Sequence, residues 1–180
     1  MVTTLDPVLD PEKEYEIVNG QPEEKVTGGA RHGGVGMRLG ARLVMHVEAH
    51  RLGGIYGPDT TFQIGANERL PDISFVAAER IPPEGKPEGK WPMAPDLAVE
   101  IILPGDLFEE VISKVKDYFA GGVRQAWLIS PEHKTVIIHH SPTQTTILSE
   151  EDEPISEDLL PGFRCRISEL FQPPGRVDFS

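Results

Sequence analysis

Hydrophobic residues recur over residues 32–51 with the spacing of an amphipathic helix. Six residues are predicted to form its buried side: Gly36, Leu39, Gly40, Leu43, Val44 and Val47. Gly53-Gly54 is expected to end this helix, because glycine favours the backbone conformation that follows a helix C-terminus. A second helix is predicted over 107–120, where Asp106 and Glu109 have the spacing of a capping box.

Short apolar stretches between and after these helices predict strands. Residues 97–102 are apolar except for Glu100, which is the pattern of a central strand covered on both faces. The other predicted strands are 15–18, 54–56, 61–64, 73–76, 125–129, 135–140 and 145–148. Residues 80–95 are expected to form a loop too polar to pack, and 167–171 a short closing segment. This order predicts an α/β fold, with helices packed on a mixed β-sheet.

Length and composition predict one globular domain. The 180 residues, 38% hydrophobic and 26% charged, suit a single domain, which we place at 15–172. A polar lead-in over 1–14 precedes it and a tail over 173–180 follows. No run approaches the roughly 18–20 apolar residues of a membrane span, and the first ten residues do not resemble a secretory signal. With Cys165 as the single cysteine, an internal disulfide is excluded, and we expect a cytoplasmic protein.

The distribution of charge is uneven. A formal net charge of −12 opposes binding to nucleic acid, which depends on neutralising phosphates. Residues 25–51, however, carry five Lys or Arg against one Glu. Four residues recur at intervals of four on the polar side of the first helix: Arg38, Arg42, His46 and His50. This row either follows a nucleic-acid backbone or is simply a solvated helix face.

Two carboxylates on successive predicted strands are the strongest chemical signal. Asp72 follows Pro71 at the head of one strand, and Glu100 lies within the next. A carboxylate in an apolar strand is costly to bury unless it is paired or binds a metal ion. The alternatives for Glu100 are an outward position on an edge strand or a salt bridge to a buried arginine. Two carboxylates and a backbone carbonyl suit Mg²⁺, which prefers oxygen ligands and can activate a water to attack a phosphoryl group.

This pair resembles the motif of the PD-(D/E)XK nuclease superfamily, in which a PD word precedes a strand that bears an acid-x-Lys triplet. Pro71-Asp72 matches the PD word, but the triplet is Glu100-Ile101-Ile102, so isoleucine stands at the lysine position. Lys114, two turns into the second predicted helix, is the candidate replacement. The alternative is that Lys114 is an exposed lysine on the helix surface.

Longer words resemble one family of that superfamily, the Uma-type restriction endonucleases. They are YEIVNG at 15–20, His32, PDISFV at 71–76, PDLAVEI at 95–101, KVKDY at 114–118, GV at 122–123, WLISP at 127–131 and LLPGF at 159–163. No single word is specific, but together they span most of the chain in one order. One word departs: the family usually has Ser-Pro-Ser where this chain has Leu103-Pro104-Gly105. The lost hydroxyls put the activity in question more than the fold.

The resemblance implies a restriction-endonuclease-like fold and a metal-dependent endonuclease whose substrate is DNA. It implies Asp72, Glu100 and Lys114 as catalytic residues. A Mg²⁺ or Mn²⁺ ion would be held by the two carboxylates with the carbonyl of Ile101. Candidate substrate contacts are His32, Arg38 and Arg42. Cutting both strands of a duplex needs two centres, a condition that a homodimer would meet.

Other residues have roles that the sequence leaves open. His32 is either a phosphate contact or a structural residue at a helix start, and Glu24 is a candidate for an additional acid of the site. Asp96 is explained by turn formation. Surface positions are predicted for His133, His139 and His140, and core positions for the aromatic residues Tyr118 and Trp127.

Two other classes of function also fit these residues. One is a catalytically impaired nuclease fold that serves as a binding or assembly module, which the acidic charge and Leu103-Pro104-Gly105 favour. The other is a metal-dependent hydrolase of small phosphodiesters, since an acidic surface repels a small diester less strongly than long DNA.

Overall fold

The computed structural model describes residues 9–26, 28–154, 156–172 and Gly175. Residues 1–8 of the expected lead-in, and most of the expected tail, lie outside the described residues. The helices are α1 Ala30–His50, α2 Phe108–Ala120 and α3 Ile167–Leu170, with a 3₁₀ turn at Ala78–Arg80. The strands are β1 Tyr15–Val18, β2 Gln21–Glu24, β3 Gly53–Tyr56, β4 Phe62–Ile64, β5 Asn67–Arg69, β6 Ile73–Ala77, β7 Leu97–Ile101, β8 Gln125–Ser130, β9 Thr135–His139 and β10 Thr145–Leu148. Within these ranges no helix is long and apolar enough to cross a membrane.

A six-stranded mixed sheet forms the centre of the protein, in the order β10-β9-β8-β7-β6-β3. The β7 and β8 strands are parallel and are joined through α2, whereas the other neighbours are antiparallel. Every residue of β7 is buried, because the strand is internal and covered on both faces. The predicted mixed α/β fold and central strand are therefore confirmed, and an edge position for Glu100 is wrong.

The α1 helix covers one face of this sheet. Its buried residues are Val35, Leu39, Leu43 and Val47, which recur at intervals of four and pack on Leu97, Val99 and Ile101 of β7. The predicted buried side was wrong at Val44, which is 36% exposed, and omitted Val35. Successive residues of a helix are rotated by about 100°, so Val44 points away from the side on which Leu43 is buried. The short α3 packs beside α1, so the closing segment lies within the fold of this chain.

A small antiparallel sheet, in the order β2-β1-β5-β4, lies on the other face together with α2. The hairpin of β1 and β2 turns at Asn19-Gly20, where both residues have positive φ angles of 52° and 75°. The strand at 15–18 was predicted, but β2 and β5 were not, because both are polar and lack an apolar alternation. The expectation that residues 80–95 do not pack is also wrong: Trp91 is buried and its ring stacks on Phe62.

The start of α2 differs from the predicted capping box. Leu107 is the N-cap residue and makes no side-chain capping hydrogen bond. Asp106 instead accepts a hydrogen bond from the backbone N–H of Leu103 at 2.8 Å, within its own turn. The loop after β7 is thereby folded tightly before α2 begins, and this directs the first turns of α2 along the cavity described below.

Candidate active site

Asp72 and Glu100 lie opposite each other on neighbouring strands. Ile73 of β6 pairs with Val99 of β7, so one further step of this antiparallel register places Asp72 across from Glu100. Ile73 and Val99 face α1, and side chains alternate along a strand, so both carboxylates project to the opposite face. There they line a cavity of about 640 Å³ between the two sheets and α2.

The Asp72 carboxylate is held by donors from β7, from α1 and from the segment that precedes α1. Its Oδ2 accepts hydrogen bonds from the backbone N–H of Ile101 at 2.8 Å and from His32 Nε2 at 3.1 Å. Its Oδ1 lies 3.5 Å from the ammonium of Lys25. Burial alone would raise the pKa of Asp72, but the His32 hydrogen bond and the Lys25 charge outweigh it and lower that pKa. The carboxylate is therefore ionised at neutral pH.

Glu100 binds two donors from α2. Its Oε1 accepts a hydrogen bond from the Tyr118 hydroxyl, and its Oε2 lies 3.3 Å from Lys114 Nζ. Burial raises the pKa of Glu100, and the negative charge of Asp72 adds to this, while Lys114 opposes it. Burial also raises the pKa of the Tyr118 hydroxyl, so Tyr118 stays a donor. Tyr118 is a core aromatic, as predicted, but it also binds a site carboxylate.

Lys114 is held between two carboxylates. Its ammonium lies 3.3 Å from both Glu100 Oε2 and Glu16 Oε1. Desolvation would lower the pKa of Lys114, but these two negative charges outweigh it and raise the pKa above the ordinary lysine value. Lys114 is thus a cation throughout the neutral range and cannot accept a proton as a general base.

Glu16 is part of a buried network that sequence reasoning missed. It accepts hydrogen bonds from the backbone N–H of Leu70 and from Arg69 Nη1, both at 2.9 Å. Arg69 also pairs with Asp117 of α2, which accepts a further hydrogen bond from Asn67 at 2.9 Å. The network joins the small sheet to α2 and fixes the helix that carries Lys114. A sequence signal existed, since Glu16 shares the inward face of β1 with Val18.

The structure brings some predicted site residues together and leaves others apart. Asp72, Glu100, Ile101, Lys114 and His32 all line the one cavity. Arg38 and Arg42 do not line it: Arg42 pairs with Glu169 of α3 at 2.8 Å, and Arg38 bonds the carbonyl oxygen of Gly34 at 3.4 Å. Arg42 therefore faces α3, and neither Arg38 nor Arg42 reaches the carboxylates, whereas His32 at the start of α1 does.

Glu24, Asp96 and His139 lie in surroundings that differ from those predicted. Glu24 borders the cavity, but its carboxylate is exposed and pairs with Lys13 at 2.7 Å; Glu16 is the additional acid beside Lys114. Asp96 does more than form a turn, since it is buried, accepts the backbone N–H of Ala77 and pairs with Arg80 at 2.9 Å. His139 is buried rather than on the surface, because β9 is an internal strand.

The donor set of the cavity fits a hard divalent cation that keeps part of its hydration. Among the residues that the structure describes, no group of three or more His, Cys, Asp or Glu is arranged to hold a metal ion. An ion here would therefore depend on Asp72, Glu100, backbone oxygen and water. Such a mixed set is the one that Mg²⁺ uses, whereas structural Zn²⁺ sites usually have four protein ligands.

The sequence of the chain matches a known family over most of its length. The model of the Uma2 family, described as "Putative restriction endonuclease", matches residues 3–168. The chain belongs to the Uma2 family. A solved structure from Anabaena variabilis, described as "a putative nuclease belonging to DUF820", superposes with a TM-score of 0.81. That match has 20% sequence identity and covers 91% of this chain and 93% of the other, which confirms the expected fold class. Curated proteins give no significant match.

Gly28 leaves the space in which His32 reaches Asp72. A Cβ added at Gly28 would lie 2.5 Å from the Cβ of His32 and directly against its ring. Gly28→Ala is therefore expected to move the imidazole away from Asp72. Because the Asp72 hydrogen bond is what raises the pKa of His32 in this Uma2 protein, that pKa should fall towards its ordinary value. The measurement is an NMR titration of the His32 ring protons, assigned with His32→Gln.

Gly33→Ala is the matched control for this substitution. Gly33 lies in the first turn of α1, and a Cβ there would have no atom within 4 Å. It should leave the His32 pKa unchanged and stabilise the helix by about 0.5–1 kcal/mol. An unaltered His32 titration in Gly28→Ala would show that the ring is not confined by the backbone at Gly28.

Proposed function

We propose that this Uma2 protein is a Mg²⁺- or Mn²⁺-dependent endonuclease that hydrolyses phosphodiester bonds of nucleic acid, with DNA as the expected substrate. One observation carries the proposal: Asp72 and Glu100 face each other in the cavity while Lys114 Nζ lies 3.3 Å from Glu100. Membership of a family described as restriction endonucleases supports it, and so does the nuclease description of the Anabaena variabilis protein.

Each residue has a distinct task in this proposal. Asp72 and Glu100 would hold the ion, with the Ile101 carbonyl as a further oxygen ligand. The bound ion would supply Lewis acidity and lower the pKa of a coordinated water. Lys114 keeps its proton, so its task is to stabilise the negative charge that develops on the phosphorus oxygens as water attacks. His32 and the Ile101 N–H both bind Oδ2 of Asp72, and this leaves Oδ1 directed away from these two donors.

Lys114 would replace the lysine that is missing at position 102, where this chain has isoleucine. The α2 helix leaves the sheet after β7 and runs back along its face, so its second turn passes beside Glu100. A long side chain from this turn delivers its ammonium to Glu100 Oε2 as directly as a residue on β7 could. The proposal therefore assigns to Lys114 the role that Ile102 cannot take.

The charge around the cavity favours a second candidate, hydrolysis of small phosphodiesters. The exposed charged residues that line the cavity are all acidic: Glu23, Glu24, Asp106 and Glu110. Such a border repels a long polyanion more than a small diester. Cleavage of a small diester should depend weakly on salt, whereas duplex binding through phosphates should weaken steeply as salt rises.

The test is a cleavage panel of supercoiled plasmid, single-stranded DNA, RNA and a chromogenic phosphodiester, each with Mg²⁺, Mn²⁺ or EDTA. We expect cleavage of DNA with either metal and none with EDTA. A parallel preparation from cells that lack the gene identifies contaminating nuclease. Conversion of plasmid directly to linear product would support a homodimer with two centres, whereas nicking alone would favour a single centre. A protein inert on every substrate with both metals would refute the proposal and leave a binding module.

A further inference from the structure

Lys25, on the segment between β2 and α1, places a second ammonium at the site. Its Nζ donates to the carbonyl oxygens of Leu70 at 2.7 Å and Pro58 at 3.2 Å, and lies 3.5 Å from Asp72 Oδ1. The Lys25 side chain is only 10% exposed. Two carbonyls and one carboxylate thus converge on a single buried cation. Oxygen-only surroundings of this kind are those that hard metal ions select.

The position of Lys25 limits what Asp72 can bind. Asp72 Oδ2 already accepts two hydrogen bonds, from the Ile101 N–H and from His32. Oδ1 is therefore the oxygen that remains for a metal ion. The ammonium of Lys25 lies 3.5 Å from Oδ1. An ion bound to Oδ1 on the same side, at the usual Mg–O distance of about 2.0–2.1 Å, would therefore overlap this ammonium.

Two-metal phosphodiesterases hold their ions about 3.5–4 Å apart, and the two ions clamp the attacking and leaving oxygens. That arrangement needs ligands for both ions. In the described part of this chain, no group of three or more His, Cys, Asp or Glu is arranged to hold a metal ion, so two ions would have to share Asp72 and Glu100. The place beside Asp72 where a second ion would find further oxygens, those of Leu70 and Pro58, is already filled by Lys25.

We propose that this site binds one divalent ion and that the ammonium of Lys25 occupies the place of a second one. The inference rests on the proposed metal-dependent function and specifies its stoichiometry. Lys25 then provides a fixed positive charge on the Asp72 side, while Lys114 provides one on the Glu100 side. A phosphodiester that enters the cavity would meet the divalent ion together with the ammonium groups of Lys25 and Lys114.

The experiment measures Mn²⁺ stoichiometry by calorimetry and by electron paramagnetic resonance, on the full chain without substrate. We expect the wild type to bind one Mn²⁺ per chain with the spectrum of an isolated ion. Lys25→Ala removes the ammonium and frees the three oxygens, so a second, weaker Mn²⁺ should bind, and its spin should couple to the first. Lys25→Met removes the charge but keeps the side-chain bulk. It should bind a single Mn²⁺ about tenfold more tightly, because the repulsion from Lys25 is gone.

Lys116→Ala is the control, since it removes one positive charge from an exposed position of α2. It should keep one Mn²⁺ at wild-type affinity. Circular dichroism during thermal unfolding verifies that each variant is folded, and the wild-type stoichiometry and Lys25→Met decide the matter if Lys25→Ala does not fold. Two Mn²⁺ per wild-type chain would overturn this inference and leave the proposed function standing. So would unchanged stoichiometry in folded Lys25→Ala, or unchanged affinity in Lys25→Met. No Mn²⁺ bound at millimolar concentration would overturn the proposed metal dependence itself.

Discussion

Replacing Glu100 with glutamine is expected to lower the cleavage rate of this Uma2 protein about 10³-fold, or about 4 kcal/mol of activation free energy. Glutamine keeps an oxygen that can accept the Tyr118 hydrogen bond, so the core around α2 should be preserved. It loses the negative charge that would bind the ion, and its amide group would meet Lys114, which lies 3.3 Å from Oε2 in the wild type. The measurement is kcat and KM on the best substrate of the panel.

Asp72→Asn should show a loss of similar size for a related reason. Oδ2 of Asp72 accepts from two donors and Oδ1 lies beside Lys25, so an amide group in either orientation meets a donor or a cation. Glu109→Gln is the matched control, because Glu109 is exposed in the first turn of α2 and does not line the cavity. If Glu100→Gln and Asp72→Asn cleave at the wild-type rate, Asp72 and Glu100 are not the metal ligands.

The central part of the site was predictable because it depends on local pattern. A carboxylate within an apolar strand identified Glu100, and a second carboxylate at the head of the preceding strand identified Asp72. Consecutive strands often pair, and antiparallel pairing then brings Asp72 opposite Glu100. Because isoleucine stands at position 102, where the motif has lysine, the sequence favours Lys114 on the following helix as the replacement, and its ammonium does lie beside Glu100.

The residues that hold this centre in place were not predictable in the same way. Glu16 and Arg69 are 53 positions apart, and Lys25 and Leu70 are 45 apart. Arg69 and Lys25 belong to short polar stretches whose composition is that of an exposed strand or loop. The packing of the small sheet against α2 removes Glu16 and Arg69 from water, and contacts with Pro58, Leu70 and Asp72 bury Lys25. Periodicity describes one element at a time and carries no information about such long-range pairs.

The first helix shows that a helix pattern identifies a polar side without its neighbours. The spacing of Arg38 and Arg42 placed them on the polar side of α1, and they do lie there. A polar helix side is not necessarily open to a ligand, however. Arg42 pairs with Glu169, which is 127 residues away in the sequence. The pattern identified the side of the helix but not its neighbour, and α3 is that neighbour.

Arg69→Met is expected to destabilise the protein by about 3 kcal/mol, the lower end of the range for breaking a buried ion pair. Arg69 is almost fully buried and binds both Glu16 and Asp117. Methionine would fill much of the same volume but leave the Glu16 carboxylate without its arginine. Lys114 stays beside Glu16, and Asp117 keeps the hydrogen bond from Asn67, so the loss should not reach the upper end of that range. Urea unfolding followed by circular dichroism measures the free energy of unfolding.

Lys90→Met separates the effect of burial from that of a lost ion pair. Lys90 pairs with Glu68, the residue before Arg69 on β5, but the Lys90 side chain is 49% exposed. Its removal should cost no more than about 1 kcal/mol, because water solvates the carboxylate that remains. A comparable loss in both variants would mean that the Arg69 network contributes no more than an exposed pair. A large loss in Arg69→Met alone would show that the network fastens α2, and with it Lys114, to the small sheet. In that case Arg69→Met should also reduce cleavage at temperatures where the protein is still folded, since the position of Lys114 depends on Glu16 and on α2.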